Sequence, residues 1–342
     1  MEQKITISDI AEKLDLSRST VDRVLNHRGG VAPKTKKRVL NAVKKFGYEP
    51  NRAAKHLSKK TNCQIGVAYI LPDWFGKQIE QGIKKVYSEL KDFGLNITYI
   101  KNDSIKEHIK QIRNRISDID ALVLNPDSPV YYDLIQELTN KDMPVATFNR
   151  DLPSSNRFFY VGCNYKKAGR ISGELMSKIV AKPGQIAIIP DDSGDRVKGF
   201  KEVLVENENL NILNNHYAEK DLKSTIELII KNNSDLRGIF VAQASILEKV
   251  GNIIKDFRKS GEIKIIGFDL TSITRQLILE DVIQAVICQE PFYQGYLPVK
   301  LLFEYITEGI KPNKDKIISR LEIVMKENVD YYYNYHPYRL TF

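Results

Sequence analysis

Residues 6–26 read TISDIAEKLDLSRSTVDRVLN and decide the fold of the amino-terminal part of the chain. Apolar side chains recur at helical spacing in two short runs, residues 7–14 and 21–25. Asp15 lies between the runs, where a tight turn needs a residue that tolerates left-handed backbone, and Ser17 can cap the second run. Two short helices joined by a turn of three or four residues are typical of a helix-turn-helix.

The second predicted helix has a polar face that suits contact with DNA. Arg18, Ser19, Thr20 and Arg23 lie toward the amino-terminal end of this helix, and that end of a recognition helix reaches base edges. Arginine can bind guanine O6 and N7 through two hydrogen bonds. The pattern therefore favours a DNA-reading helix over a generic helical hairpin.

A third helix is predicted over residues 35–46, with Pro33 suited to its start and Gly47 to its end. Its apolar positions are expected to close a small three-helix core: Val39, Leu40, Val43 and Phe46. Its basic side chains are expected to stay outside, available to phosphates: Lys34, Lys36, Lys37 and Arg38.

The excess positive charge of the chain lies in this first part. Residues 1–60 hold 15 Lys and Arg against 6 Asp and Glu, whereas the remaining 282 residues hold 37 of each. The whole formal net charge of +9 therefore belongs to a short basic module, which is typical of a nucleic-acid-binding head. A membrane-surface segment with this charge would need a basic amphipathic helix with large apolar anchors, and this stretch lacks one.

From residue 64 onward, about ten short apolar runs alternate with segments of helical spacing, as in 65–71 followed by 77–93. Repeated strand–helix units predict parallel sheets covered by helices on both faces. The runs divide into two sheets of about five strands, with the break near residues 162–166. Ligands in such folds bind at the carboxyl ends of the strands, so two facing lobes would share one cleft.

A stretch of about sixty residues, from the helix-turn-helix to residue 67, resembles the LacI/GalR type of bacterial transcriptional regulator. The residues that carry the resemblance are Val31-Ala32-Pro33, Thr35, Val39, Gly47-Tyr48, Pro50-Asn51, Ala54, Leu57 and Ile65-Gly66-Val67. The rest of the chain resembles the type I periplasmic sugar-binding fold. The resemblance implies an α/β protein with a helix-turn-helix domain (1–49), a hinge helix and linker (50–62) and an effector-binding domain (63–342). Its N-terminal lobe would span about 63–161 and 292–320, and its C-terminal lobe about 162–291 and 321–342.

The resemblance also implies a site on double-stranded operator DNA. Together with the polar face described above, it assigns DNA contact to Thr6, Ser17, Arg18, Ser19, Thr20, Arg23, Asn26, Lys34, Lys37, Asn51, Ala54, Lys55 and Leu57. In the family the hinge helix orders on the operator and inserts a leucine into the minor groove, and Leu57 is the matching position. Lys55 departs from the usual arginine.

Side chains just beyond the predicted strand ends form the expected effector site. They are Asp73, Trp74, Phe75, Asn149, Arg150, Arg196, Gln243, Asp269 and Gln289. Aromatic rings stack on the apolar face of a pyranose, carboxylates accept hydroxyl hydrogens and guanidinium groups donate several hydrogen bonds. Asn149 and Gln243 stand where the family more often has Asp and Asn, so the sugar is not identified. A sugar acid, favoured by the two arginines, or a nucleobase stays open, as does corepression instead of induction.

Other classes of protein are disfavoured. The three cysteines and five histidines show no metal-ligand spacing, and neither a G-x-S-x-G elbow nor a phosphate loop is present, so we expect no enzyme, metal or cofactor. The chain has no signal-peptide pattern and no membrane-spanning apolar run, which predicts a cytoplasmic protein rather than an exported sugar-binding protein. The aromatic tail 331–342 lacks a leucine heptad, so a homodimer is expected rather than a tetramer.

Overall fold

The computed structural model describes residues 5, 7–25, 29–46, 62–192, 194–213 and 221–335. These residues fall into two compact units, with the main division between Asn62 and Cys63. The predicted hinge helix lies outside the described residues. So do six of the predicted DNA contacts: Thr6, Asn26, Asn51, Ala54, Lys55 and Leu57.

The amino-terminal unit contains three helices, α1 (Ile7–Leu14), α2 (Arg18–Leu25) and α3 (Pro33–Lys45). Asp15 adopts the predicted left-handed backbone, with φ of 53°, and ends α1. The Ser17 hydroxyl accepts a hydrogen bond from the Thr20 amide at 3.1 Å and so caps α2. The core consists of small and β-branched side chains from all three helices: Ile10, Ala11, Val21, Val24, Val39 and Ala42.

The prediction that Leu40 belongs to the core of this unit is wrong. Leu40 is 42% exposed, whereas Ala42 is buried beside Val39. Successive helical residues are rotated by about 100°, so the face that contains residue 39 continues through residues 42, 43 and 46 and leaves residue 40 outside. The larger side chain at position 40 misled the sequence-based assignment.

The second unit contains two six-stranded sheets among its described residues. The strands of the first sheet, in spatial order, are β11 (Lys316–Ile318), β5 (Phe159–Gly162), β4 (Val145–Phe148), β3 (Ala121–Leu124), β1 (Cys63–Tyr69) and β2 (Leu95–Lys101). Those of the second are β12 (Glu322–Val324), β10 (Ala285–Cys288), β9 (Lys264–Phe268), β8 (Leu236–Val241), β6 (Gly184–Ile189) and β7 (Leu210–Ile212). Among these strands only β12 pairs antiparallel, with β10.

Helices connect the strands and cover both faces of the sheets. They are α4 (Asp73–Leu90), α5 (Ile105–Asn114), α6 (Tyr131–Thr139), α7 (Tyr165–Ile179), α8 (Asp195–Leu204), α9 (Leu222–Asn232), α10 (Ala244–Asp256), α11 (Ser272–Leu279), α12 (Pro291–Glu308) and α13 (Val329–Tyr335). Short 3-10 helices lie at Lys91–Phe93 and Ile116–Asp118. The central strands β3, β4 and β10 are buried at every residue, because helices on both faces exclude water.

Two strands were missing from the sequence-based prediction, which expected ten runs. β11 and β12 have only three residues each and form sheet edges where the chain passes from the first sheet to the second. Each contains only two consecutive apolar residues, a shorter run than those that predicted the other strands, and pairing with β5 and β10 makes them strands. The predicted strand at 212–217 begins earlier, as β7, and residues 214–220 lie outside the described part.

Glycines allow two helix crossings in which backbones touch. A side chain at Gly169 in α7 would collide with the backbone carbonyl of Arg196, and one at Gly199 in α8 would collide with that of Lys166. Gly82 in α4 meets the start of α12 in the same way. The first crossing fixes the backbone that carries Arg196, so packing of α7 against α8 positions a predicted site residue.

Candidate functional site

A cleft of about 540 Å³ opens at the carboxyl ends of the strands of both sheets. Eight of the nine predicted effector residues line it: Trp74, Phe75, Asn149, Arg150, Arg196, Gln243, Asp269 and Gln289. The ninth, Asp73, is exposed in the first turn of α4 and lies outside the lining. Lining residues that the sequence-based analysis did not single out include Ile70, Leu71, Pro72, Asp127, Tyr165, Asp192, Asp195 and Ser245.

Asp269 and Gln289 form a buried pair at the floor of the cleft. The Gln289 amide donates to the two Asp269 carboxylate oxygens at 2.9 and 3.2 Å, and both side chains are at most 6% exposed. Burial raises the pKa of Asp269 to about 6, while the charge of Arg196 and the bond from Gln289 act in the opposite direction. The pair therefore presents a desolvated acceptor that can receive hydroxyl hydrogens.

Arg196 is held by aromatic rings rather than by a carboxylate contact. Its guanidinium carbon lies 3.7 Å from the ring centroid of Phe268 and 4.9 Å from that of Tyr165. One terminal nitrogen donates to the Ala242 carbonyl at 3.1 Å. Its Nε–H is buried and has no hydrogen-bond partner among the described residues, so one donor of the guanidinium is unsatisfied there.

Tyr165 is the main site residue that the sequence-based analysis missed. Its hydroxyl donates to the Asn149 carbonyl at 2.9 Å, and its ring lies between Arg196 and Arg150, 5.4 Å from the Arg150 guanidinium carbon. Burial raises the pKa of its hydroxyl. Its position three residues after β5 was the available signal, because the other site residues also follow strand ends.

The Asn149 side chain is bonded inside the protein although it lines the cleft. Its Nδ2 donates to Gln294 Oε1 at 3.2 Å, and its Oδ1 accepts from Asn125 Nδ2 at 3.4 Å. The residue adopts a left-handed backbone with φ of 58°. The predicted ligand contact at position 149 therefore depends on a side chain that two neighbours already orient.

The opposite wall of the cleft combines aromatic and charged groups. The rings of Trp74 and Phe75 meet edge to face at 5.5 Å, and Phe75 is buried while Trp74 is half-buried. The exposed Arg150 lies 3.9 Å from Asp127. Burial raises the pKa of Asp127, and the charge of Arg150 offsets part of that effect. An aromatic face beside polar groups is the surface that a pyranose ring matches.

In the amino-terminal unit, most of the predicted base-reading side chains are exposed, and three of them bond to one another. Arg18, Ser19 and Arg23 are exposed on α2. The Ser17 hydroxyl bonds to the hydroxyls of Ser19 and Thr20, each at 2.8 Å, so part of the hydrogen-bonding capacity of these three side chains is used within the protein. Lys34 and Lys37 are exposed on α3, so both remain accessible for the predicted phosphate contacts.

Arg38, also on α3, was expected to be available to phosphates. Its guanidinium donates to the Leu14 carbonyl at 3.0 Å and so satisfies an acceptor at the end of α1. The bond ties α3 to α1. Arg38 therefore contributes to the three-helix packing.

No cluster of three His, Cys, Asp or Glu side chains within the described ranges could hold a metal ion. Cys63, Cys163 and Cys288 are buried free thiols. No helix in the same part of the chain is long and apolar enough to cross a membrane.

The raised pKa of Asp269 predicts a pH-dependent stability. Between 3.8 and about 6 the folded protein holds a proton that the unfolded chain has released, so the free energy of unfolding falls as pH rises through this window. Asp269→Asn removes the ionisation. We expect this variant to match the wild type near pH ~4 and to exceed it by about 3 kcal/mol near pH ~7.5. Urea unfolding at both pH values measures the difference, and a difference independent of pH would contradict the raised pKa.

Two family models match the chain. The periplasmic binding protein domain matches residues 67–311, and the bacterial regulatory proteins of the lacI family match residues 6–51. Catabolite control protein A of Priestia megaterium is 25% identical over 325 residues, which cover 89% of this chain and 93% of the relative. The ribose operon repressor of Halalkalibacterium halodurans is 23% identical and covers 88% of this chain and 90% of its own length.

Solved structures share the fold of the second unit. The sugar-binding protein of a sugar ABC transporter from Bacillus halodurans has a TM-score of 0.72 at 23% identity, and covers 80% of this chain and all of its own. A LacI-type transcriptional regulator from Bacteroides fragilis has a TM-score of 0.69 at 18% identity, with the same coverage. The chain thus belongs to the periplasmic binding protein domain family, and through the match of residues 6–51 to the lacI family of bacterial regulatory proteins it is a transcriptional regulator.

Proposed function

We propose that the chain is a cytoplasmic repressor that binds a near-palindromic operator as a homodimer and changes its DNA affinity when a sugar occupies the cleft. One observation carries the proposal. A desolvated carboxylate, Asp269, and the guanidinium of Arg196, whose Nε–H has no partner among the described residues, belong to the same cleft as the aromatic side chain of Trp74. Such a set offers an acceptor, a donor and a stacking surface, which together suit a hydroxylated ring.

We further propose that the effector is a neutral monosaccharide rather than a sugar acid. Each arginine of the cleft has a carboxylate near it: Asp127 lies 3.9 Å from Arg150, and the charge of Arg196 offsets part of the rise that burial causes in the pKa of Asp269. Asp192 and Asp195 add two more carboxylates to the lining, which then holds four against two guanidinium groups. The arginines therefore do not form an uncompensated anion site. The names of a ribose operon repressor and of an arabinose-bound solute-binding protein among the similar proteins also support a monosaccharide.

The proposed response is a change of lobe arrangement. Asp269, Arg196 and Gln243 follow strands of the second sheet, whereas Trp74, Asn149 and Arg150 follow strands of the first. A ligand that touches both sets stabilises the arrangement in which they are close. It can shift operator affinity only by its differential affinity for the two arrangements, typically about 1–3 kcal/mol. We favour release of the operator on ligand binding, with corepression as the alternative.

The effector can be identified by titration, because Trp74 is the one tryptophan of the chain and lines the cleft. The panel comprises D-glucose, D-galactose, D-ribose, D-arabinose and D-tagatose, with D-glucuronate and adenine as contrasting ligands. We expect one neutral sugar to change the Trp74 fluorescence and to raise the melting temperature by mass action. A response to glucuronate alone would reject the neutral class, and a response to adenine alone would reject a sugar effector.

We expect Arg18→Ala to weaken binding to an operator duplex selected in vitro from random-sequence DNA. The loss should be about 1–3 kcal/mol and should relax the preference at one base pair, because an exposed arginine on α2 reads a base edge. Lys37→Ala, at an exposed phosphate-facing position, should weaken selected and scrambled duplexes by the same factor. Fluorescence anisotropy measures both. If Arg18→Ala kept the wild-type ratio of the two affinities, the base-reading role would be wrong.

The proposed dimer is tested by light scattering. We expect a mass twice the 39.2 kDa of one chain at micromolar concentration. A fragment of residues 63–342 should also be dimeric, because we assign the association to the effector-binding domain. A monomeric fragment would place the association elsewhere, and a tetramer would show that the aromatic tail was misinterpreted.

A further inference from the structure

Gln294 is a fully buried polar side chain near the start of α12, outside the lining of the cleft. Its Nε2 donates to the backbone carbonyl of Gln289 at 2.6 Å, and its Oε1 accepts from Asn149 Nδ2 at 3.2 Å. The Gln289 side chain continues the path to Asp269 at 2.9 Å. One buried glutamine thus connects a cleft residue that follows a strand of the first sheet with the buried pair at the end of the second.

Chemistry decides the orientation of each amide along this path. A backbone carbonyl only accepts hydrogen bonds, so Gln294 must present its amino group to Gln289. Its carbonyl oxygen then faces Asn149, which must present an N–H in turn. The bond from Asn125 Nδ2 to Asn149 Oδ1 agrees with that orientation. An aspartate at position 149 would place a second acceptor against Gln294 Oε1, which accounts for the asparagine found there.

Both segments that Gln294 joins have unusual backbone. Asn149 has φ of 58°, and Glu290, next to Gln289, has φ of 51°. Residues other than glycine rarely adopt this backbone conformation unless surrounding hydrogen bonds hold it. The Asn149 carbonyl also accepts hydroxyl hydrogens from Tyr160 at 2.8 Å and Tyr165 at 2.9 Å. The position of Asn149 is therefore defined by several bonds. Gln294 gives the most direct link to the Gln289–Asp269 pair, because one side chain bonds both Asn149 and Gln289, whereas the other path runs through Tyr160 and Cys163.

We propose that Gln294 is a positioning residue for the ligand response. It holds the Asn149 amide in a fixed relation to the Gln289–Asp269 pair, so that a displacement of that pair by a ligand reaches Asn149 through the protein as well as across the cleft. This inference rests on the proposed function, because it concerns the same cleft. Gln294 is fully buried and lies outside the lining of the cleft, so it would act on the ligand only through Asn149 and Gln289.

The test uses Gln294→Met in the full-length protein, because methionine keeps the volume and removes both hydrogen bonds. The probe is the panel monosaccharide that gives the largest Trp74 fluorescence change. We expect its Kd to rise about tenfold, since an amide that is no longer oriented loses roughly one hydrogen bond to the ligand. The factor by which this sugar changes operator affinity should shrink as well.

Gln284→Met is the matched control. Gln284 is also buried and also makes two bonds, accepting from the Ile265 amide at 2.6 Å and donating to the Asp281 carbonyl at 2.9 Å, but both lie within the C-terminal lobe. This variant should lower the melting temperature and leave the sugar Kd unchanged. A general loss of stability therefore cannot imitate the expected result.

A second measurement needs no ligand. Gln294→Met and Asn149→Ala break the same hydrogen bond, so the melting-temperature loss of the double variant should be clearly smaller than the sum of the single losses. Additive losses, or an unchanged sugar Kd and operator response in Gln294→Met, would overturn the proposal. If no monosaccharide binds the wild type, the proposed effector is rejected, and the ligand-free cycle still decides whether Gln294 positions Asn149.

Discussion

Asp269→Ala should lower the affinity for the effector sugar by on the order of a hundredfold or more while operator affinity stays unchanged. The carboxylate is buried, and Gln289 holds it in place, so it can accept ligand hydroxyl hydrogens without reorganisation. Removing it also takes away a negative charge that interacts with the charge of Arg196. Operator affinity is expected to persist because the predicted DNA contacts belong to the first sixty residues. Trp74 fluorescence and operator anisotropy measure the two affinities.

Asp73→Ala is the matched control for this result. Asp73 is also an aspartate that follows a strand, but it is exposed and lies outside the lining of the cleft. Its removal should leave the sugar affinity within about twofold of the wild type, since surface substitutions change free energies by only about 0.5 kcal/mol. Full sugar affinity in Asp269→Ala would disprove the assigned site. A large loss of sugar affinity in Asp73→Ala would show that Asp73 belongs to the effector site.

Gly199→Ala should destabilise the effector-binding unit by about 3 kcal/mol or more. The added methyl group would overlap the backbone carbonyl of Lys166, and a backbone atom of a packed helix cannot move aside cheaply. Alanine is the better helix former by about 1 kcal/mol, so the observed loss is a net value. Urea unfolding followed by circular dichroism gives the midpoint.

The control for this prediction is Gly76→Ala in α4. A methyl group at Gly76 would meet Tyr69 at 3.6 Å and Leu71 at 3.9 Å, which are ordinary contact distances. Here the helix propensity should prevail, so we expect no loss or a gain of up to about 1 kcal/mol. A neutral Gly199→Ala would show that α7 and α8 can separate without cost, and the close crossing would then not be what holds Arg196.

Local sequence patterns were sufficient for most of the architecture. Capping at Ser17, the left-handed turn at Asp15 and apolar spacing specify the three short helices, because each depends on interactions within a few residues. The short strands β11 and β12 were missed, because two apolar residues in each are too short a run to predict a strand and pairing with distant partners makes them strands.

For the cleft, the sequence alone determined which residue types stand at strand ends, because parallel sheets bring those ends together whatever the details of packing. Only the tertiary structure decided which of them enter the cleft and in what state. It excluded Asp73, added Tyr165 and turned the Asn149 amide toward Gln294. It also raised the pKa of Asp269. Solvent exclusion and hydrogen-bond partners more than a hundred residues apart in the chain produce these effects, and neither is written in the local sequence.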